Sequence, residues 1–238
     1  MKRYNLIFTF ALVAIVSLLG CNRNTEKAEP ADAQTEQLQT GDLVFVGLPL
    51  DFDATDTTEM SSAIAAATGD STGINYIHVA IADVENDKVW IVDATLKHGV
   101  DRYPLDTFLC DFTLRDGSLP QLDVMRLSDN SNAAKYVENA KQFVGRKYDL
   151  YFLPDNDDQY CSELVRNSYI NGEDYIFSEA PMNFKSDDGT FPTYWVWLFE
   201  KIGQPIPQGL PGTNPNAMSK EKCLKKVDIK LTDYSNIK

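Results

Sequence analysis

Tyr160-Cys161-Ser162-Glu163-Leu164-Val165 decides how this chain is read; Leu150-Tyr151-Phe152-Leu153-Pro154 and the acidic run Asp155-Asn156-Asp157-Asp158 precede it. Pro154 and the Asp/Asn cluster break any preceding element. From Ser162 onward, Leu164, Val165, Ser168 and Tyr169 recur on one face at helical spacing. Cys161 is therefore expected in the first turn of a helix. There the unpaired N–H groups and the positive end of the helix dipole favour a thiolate, the reactive form of cysteine. A small buried hydrophobe is the competing reading of any free cysteine, and this stretch alone does not choose.

At 238 residues, with 43% hydrophobic and 24% charged positions, the chain suffices for one globular domain with a full core. Residues 1–20 read as a secretory leader: Lys2 and Arg3 precede an apolar run from Leu6 to Leu19. Leu18-Leu19-Gly20-Cys21 resembles a bacterial lipobox, which makes Cys21 the expected lipidated residue and the cell envelope the expected location. An uncleaved anchor is the alternative, for which the run is short. Residues 21–39 are polar and without apolar period, and are expected to form a flexible tether to a catalytic domain over residues 40–238.

The formal net charge of −13 becomes −15 once the leader, with its two cations, is removed. Such a surface argues against nucleic acid as a partner. Of the four cysteines, Cys110 and Cys223 remain as a possible disulfide in an oxidising compartment. No metal site is expected: there is no Cys-x-x-Cys, and His78 and His98 lack zinc-site spacing. The acidic run departs from a calcium loop in lacking its glycine and its final glutamate, and reads as a solvated loop capping the Cys161 helix.

In chain order, Leu43–Val46 reads as a strand, and residues 57–68 as a helix, with Met60, Ile64 and Ala67 on one face and Gly69 ending it. Tyr76–Ala82 and Lys88–Ala94 read as an antiparallel hairpin. With Asn86-Asp87 as its turn, His78 falls opposite Thr95 and Ala80 opposite Asp93. His78 and Asp93 then become diagonal neighbours on one side of the sheet. A carboxylate beside a histidine holds a general base in the right tautomer; the same pair is also met as plain sheet structure.

Val100–Leu105 and Leu122–Leu127 are further expected strands. Ala133–Val144 is an expected helix burying Ala133, Val137, Ala140 and Val144. A further helix starts near Pro192, Gln204–Pro215 is expected to be irregular, and Val227–Leu231 to add an edge strand.

Gly41-Asp42-Leu43-Val44, Tyr76-Ile77-His78-Val79-Ala80-Ile81, Val92-Asp93-Ala94, Tyr148-Asp149 and Tyr160-Cys161-Ser162-Glu163-Leu164-Val165, in that order, resemble the YiiX-like permuted papain-type amidases. These are circularly permuted relatives of the NlpC-type cell-wall peptidases. The resemblance implies an α+β, circularly permuted papain-like fold, with an antiparallel sheet packed against the helix that carries the cysteine. It implies Cys161 as nucleophile and His78 as its base. The orienting group falls at Asp93, where the family more often carries Glu, so that closer strands or a bridging water would be needed.

The implied reaction is amide hydrolysis through a thioester, with cell-wall peptides as the candidate substrate and no cofactor. Tyr76 and Tyr160 are the expected substrate-binding residues, and His98 is expected at the surface. Related permuted proteins act on acyl lipids, so an acyl-lipid hydrolase or acyltransferase is the second reading. A non-catalytic surface binding lipoprotein is the third.

Overall fold

The computed structural model describes residues 36–48, 59–69 and 73–236. The expected leader, Cys21, the tether up to residue 35 and the expected helix start at Thr57 lie outside the described residues. The elements run β1 (Leu43–Leu48), α1 (Met60–Thr68), β2 (Asn75–Glu85), β3 (Lys88–Thr95), β4 (Gly99–Pro104), α2 (Leu105–Asp111), β5 (Gln121–Leu127), α3 (Ala133–Lys141) and α4 (Cys161–Ser168). Two-residue strands β6 (Ile170–Asn171), β7 (Asp174–Tyr175) and β8 (Ala180–Pro181) precede α5 (Thr193–Ile202). Then come β9 (Pro211–Gly212), α6 (Pro215–Ser219), β10 (Leu224–Val227) and a 3-10 turn over Leu231–Tyr234.

Six strands form one antiparallel sheet in the order β10-β5-β1-β2-β3-β4. Side chains alternate across it, as the pleat requires. Leu43, Phe45, Val79, Ile81 and Val92 pack against Tyr136 and Val137 of α3 and Leu164 and Val165 of α4. On the other face Val44, Val46, Ala80 and Ile91 meet Phe108 and Leu109 of α2 and the C-terminal Val227 and Leu231. The architecture is thus the expected α+β, with the antiparallel sheet against the helix that begins at Cys161. Leu164 is 1% exposed, and truncating it to Ala would cost about 2–5 kcal/mol.

The hairpin has the expected register. Glu85 pairs with Lys88 and Ile81 with Val92, and Asn86 and Asp87 both take positive φ, the geometry of a two-residue turn that matches strand twist. One irregularity bears on function. Between β1 and β2 the register passes from Val46↔His78 to Gly47↔Tyr76, leaving Ile77 as an extra residue directly before His78. Such a bulge re-aims the side chain next to it. Gly47 permits the bulge, because a Cβ there would lie 2.1 Å from Ile74 Cγ2.

Several expectations are corrected. The domain begins before residue 40: Leu38 is buried, its N–H donates to the Tyr234 hydroxyl, and Arg126 reaches the Gln37 carbonyl while pairing with Asp42 at 2.6 Å. Cys110 and Cys223 are both free. Cys110 lies on α2, which packs on one sheet face, whereas Cys223 packs against the core of the other, so the sheet separates them. The strand expected to reach Leu105 stops at Pro104, the extended N-cap of α2. Val144 is exposed, beyond the end of α3, and Tyr136 takes the inward place. The last strand is Leu224–Val227, and Leu231 belongs to the 3-10 turn. The irregular stretch gives way to a helix at Pro215, capped by the Asn214 side chain, which accepts the Ala217 N–H.

Candidate active site

The N-terminus of α4 is set by the loop before it. Asp149 is fully buried and accepts the N–H groups of Tyr151 and Leu153, at 2.8 and 2.9 Å, forcing Phe152 to φ 51°. The Phe152 ring is thereby turned inward against Tyr160, Phe184 and Trp195, at centroid distances of 5.2, 5.7 and 5.5 Å. Tyr160 is extended, its N–H donates to the Glu163 carboxylate at 3.3 Å, and the helix starts at Cys161. The expected cap, the acidic run, does not perform that role: Asp155, Asn156 and Asp157 stay exposed, and Asp157 meets Arg146 through its carbonyl and, at 3.9 Å, its carboxylate. Burial above all, with Asp149 beside it, pushes Glu163 up to about 8, against the opposing pull of the Tyr160 N–H and Arg166.

Cys161 is buried at 4% exposure and lies close enough to His78 to act on the charge of its imidazole. His78 Nε2 lies 2.7 Å from Asp93 Oδ1, so a direct contact spans the gap without a bridging water. With Nε2 engaged, Nδ1 is the ring nitrogen left for Cys161. Burial alone would depress the imidazole. The Asp93 carboxylate, and after it Cys161, outweigh burial and raise His78 from 6.5 to about 10. Phe112 packs on the imidazole at 4.7 Å and Phe108 at 6.4 Å, fixing the ring plane.

The other expected residues divide. Tyr160 lines the pocket at Cys161, but its hydroxyl accepts the Thr213 N–H at 3.0 Å and so holds the chain after β9 in place. Tyr76 lies outside that pocket and outside the one at His78: its hydroxyl donates to Asp123, and its N–H to Asn216 at 2.8 Å. His98, expected at the surface, is half-buried, with Nε2 2.7 Å from Asp111 Oδ2.

Two contributors escaped the sequence reading as site residues. Tyr148 lines both the Cys161 pocket and the His78 pocket, and its hydroxyl donates weakly to Met60 Sδ at 3.7 Å. Burial first, then Cys161 and Tyr194, raise its phenol well above the ordinary range, which keeps the hydroxyl a donor. The Tyr148-Asp149 motif was the available signal. Tyr103 donates to Asp93 Oδ2 at 2.8 Å from the next strand, and no local pattern marks it. α1 supplies one wall of the cleft, through Ile64, Ala67 and Thr68.

A protein-family model described as "Permuted papain-like amidase enzyme, YaeF/YiiX, C92 family" matches residues 37–228, starting beside the buried Leu38. The uncharacterized protein YiiX of Escherichia coli strain K12 is 27% identical over 186 residues, spanning 76% of this chain and 82% of that protein. The crystal structure of YiiX from Escherichia coli O157:H7, described as a metalloprotein, aligns with a TM-score of 0.62 at 25% identity. That alignment covers 82% of this chain and 99% of the other.

Proposed function

The chain belongs to the permuted papain-like amidase family and is a papain-like cysteine hydrolase of the amidase and peptidase type; from that premise we propose that it breaks an amide bond through a thioester on Cys161. The observation that carries this reading is the 2.7 Å His78–Asp93 contact with Cys161 against the same imidazole at a helix start. In the resting pair His78 already holds the proton that Cys161 gives up, and the Cys161 sulfur attacks the carbonyl carbon. The oxyanion is held by the Cys161 N–H, which a helix cannot bond internally, and by the Tyr148 hydroxyl. His78 then protonates the leaving nitrogen. In the second half it takes a proton from water, the hydroxide attacks the thioester, and Cys161 is released.

Cell-wall peptides are the substrate class we propose first, on the kinship with cell-wall peptidases. One observation favours a second reading. The pocket at Cys161 is walled by Ile64, Ala67, Phe152, Met182, Phe184 and Trp195, a lining suited to an apolar acyl group. Purified muropeptides and a panel of acyl lipids, each incubated with the domain and with Cys161→Ala, separate the two. New peptide termini formed only with Cys161 support the peptidase, and released fatty acid supports the acyl-lipid enzyme. Turnover of neither, with no acyl adduct on Cys161, defeats both.

No metal enters this mechanism. YiiX is described as a metalloprotein, but among the described residues no three His, Cys, Asp or Glu side chains are grouped to share an ion. Lipid on Cys21 would tether the domain to the envelope membrane, a proposal resting on Lys2, Arg3, Leu6–Leu19 and the Leu-x-Gly-Cys ending. Cys21→Ala should then move the protein from the membrane fraction to the soluble one; retention in the membrane would refute it.

A further inference from the structure

Asp93 is fully buried, and its two oxygens are held differently. Oδ1 takes both the His78 Nε2 contact and the Ala94 N–H, each at 2.7 Å. Oδ2 takes the Tyr103 hydroxyl at 2.8 Å, its one hydrogen bond among the described residues. A buried carboxylate oxygen left without a donor is costly and is free to rotate toward any other partner. Rotation of Asp93 about its side-chain bonds would carry Oδ1 away from His78.

Tyr103 is built to stay where it is. It lies on β4 opposite Ile91, is 6% exposed, and its ring rests on the His98 ring at 4.8 Å. Burial, then Asp93, Asp111 and Asp101 around it, push the phenol far above its ordinary range, so the hydroxyl remains a donor at every working pH.

We propose that Tyr103 is a positioning residue for the reaction, acting through Asp93 to hold the His78 imidazole in line with Cys161. It touches neither the nucleophile nor a substrate, and its whole effect passes through one carboxylate. This inference rests on the reading of Cys161 and His78 as nucleophile and base.

The test is a double-mutant cycle on the rate at which iodoacetamide alkylates Cys161 at neutral pH. It uses Tyr103→Phe, Asp93→Ala, the double variant and His78→Ala, with thermal unfolding recorded for each. Tyr103→Phe is expected to slow alkylation about tenfold, the loss typical of one buried hydrogen bond to a charged group. In the Asp93→Ala background the same change is expected to cost nothing further. In proton NMR spectra, the downfield His78 Nε2–H resonance is expected to weaken or shift in Tyr103→Phe at unchanged fold.

An equal loss in both backgrounds, or an unchanged rate and resonance, overturns the proposal even if the unfolding temperature falls. If His78→Ala alkylates as fast as the parent, the nucleophile and base reading itself fails and this inference falls with it. A slow His78→Ala beside a fully reactive Tyr103→Phe removes Tyr103 alone.

Discussion

His78 and His98 share one contact: in each, Nε2 stands 2.7 Å from an aspartate oxygen, Asp93 in one case and Asp111 in the other. Everything around that contact differs. Asp93 is sealed from solvent and bonded also by Tyr103 and the Ala94 N–H, whereas Asp111 is partly exposed and shared with Lys97. His78 meets Cys161 and lies under Phe112; His98 meets the ring of Tyr103. On the proposed reading, a histidine–carboxylate pair becomes a chemical device only where a nucleophile faces it. Exclusion of water strengthens the same Coulomb interaction that solvent weakens elsewhere. Although burial works against it, Lys97 and His98 hold Asp111 below the ordinary carboxylate range, an ion-pair arrangement with nothing to activate.

The comparison is broken most severely at the carboxylates. Asp93→Asn should reduce turnover on the order of a thousandfold or more, since the amide selects the wrong imidazole tautomer. Asp111→Asn should leave turnover within about twofold, and equal losses in kcat from the two changes would erase the distinction. The next effect is on pH. Because the folded-state value of His78 is raised from 6.5 to about 10, its proton is retained through neutrality. The pair's contribution to stability is complete below about 6.5 and fades as pH rises through about 10. The alkaline limb of kcat/KM should fall at about 10, where His78 loses the proton it gives to the leaving group. A limb near 6.5 would mean that Asp93 and Cys161 do not hold the charge. The smallest effect is at His98→Ala, for which we expect at most about 1 kcal/mol in unfolding free energy and no change in the pH profile.

The hairpin and the helix start were legible because their signals are local. Asn86-Asp87 fixes the turn, the turn fixes the register, and the register brings Asp93 to His78. Pro154 and the apolar face of α4 likewise announce where Cys161 sits. What the sequence withheld depends on partners far along the chain. Tyr103 matters only because β4 pairs with β3 and places it beside Asp93. α2 is too short for a periodic signal, and Phe112 just beyond it reaches His78 only because α2 crosses the sheet face. Tyr76, one bulge away from His78, was drawn instead to Asp123 on β5, a contact that no reading of β2 alone contains.

The most direct measurement is the rate of Cys161 alkylation by iodoacetamide at neutral pH, followed by peptide mass spectrometry in the parent domain, in His78→Ala and in His98→Ala. The account predicts a fast reaction in the parent, one slowed at least tenfold without His78, and an unchanged one without His98. Equal rates in all three proteins would show that the His78–Asp93 pair does no more for Cys161 than the His98–Asp111 pair does, and would contradict the assignment of the site.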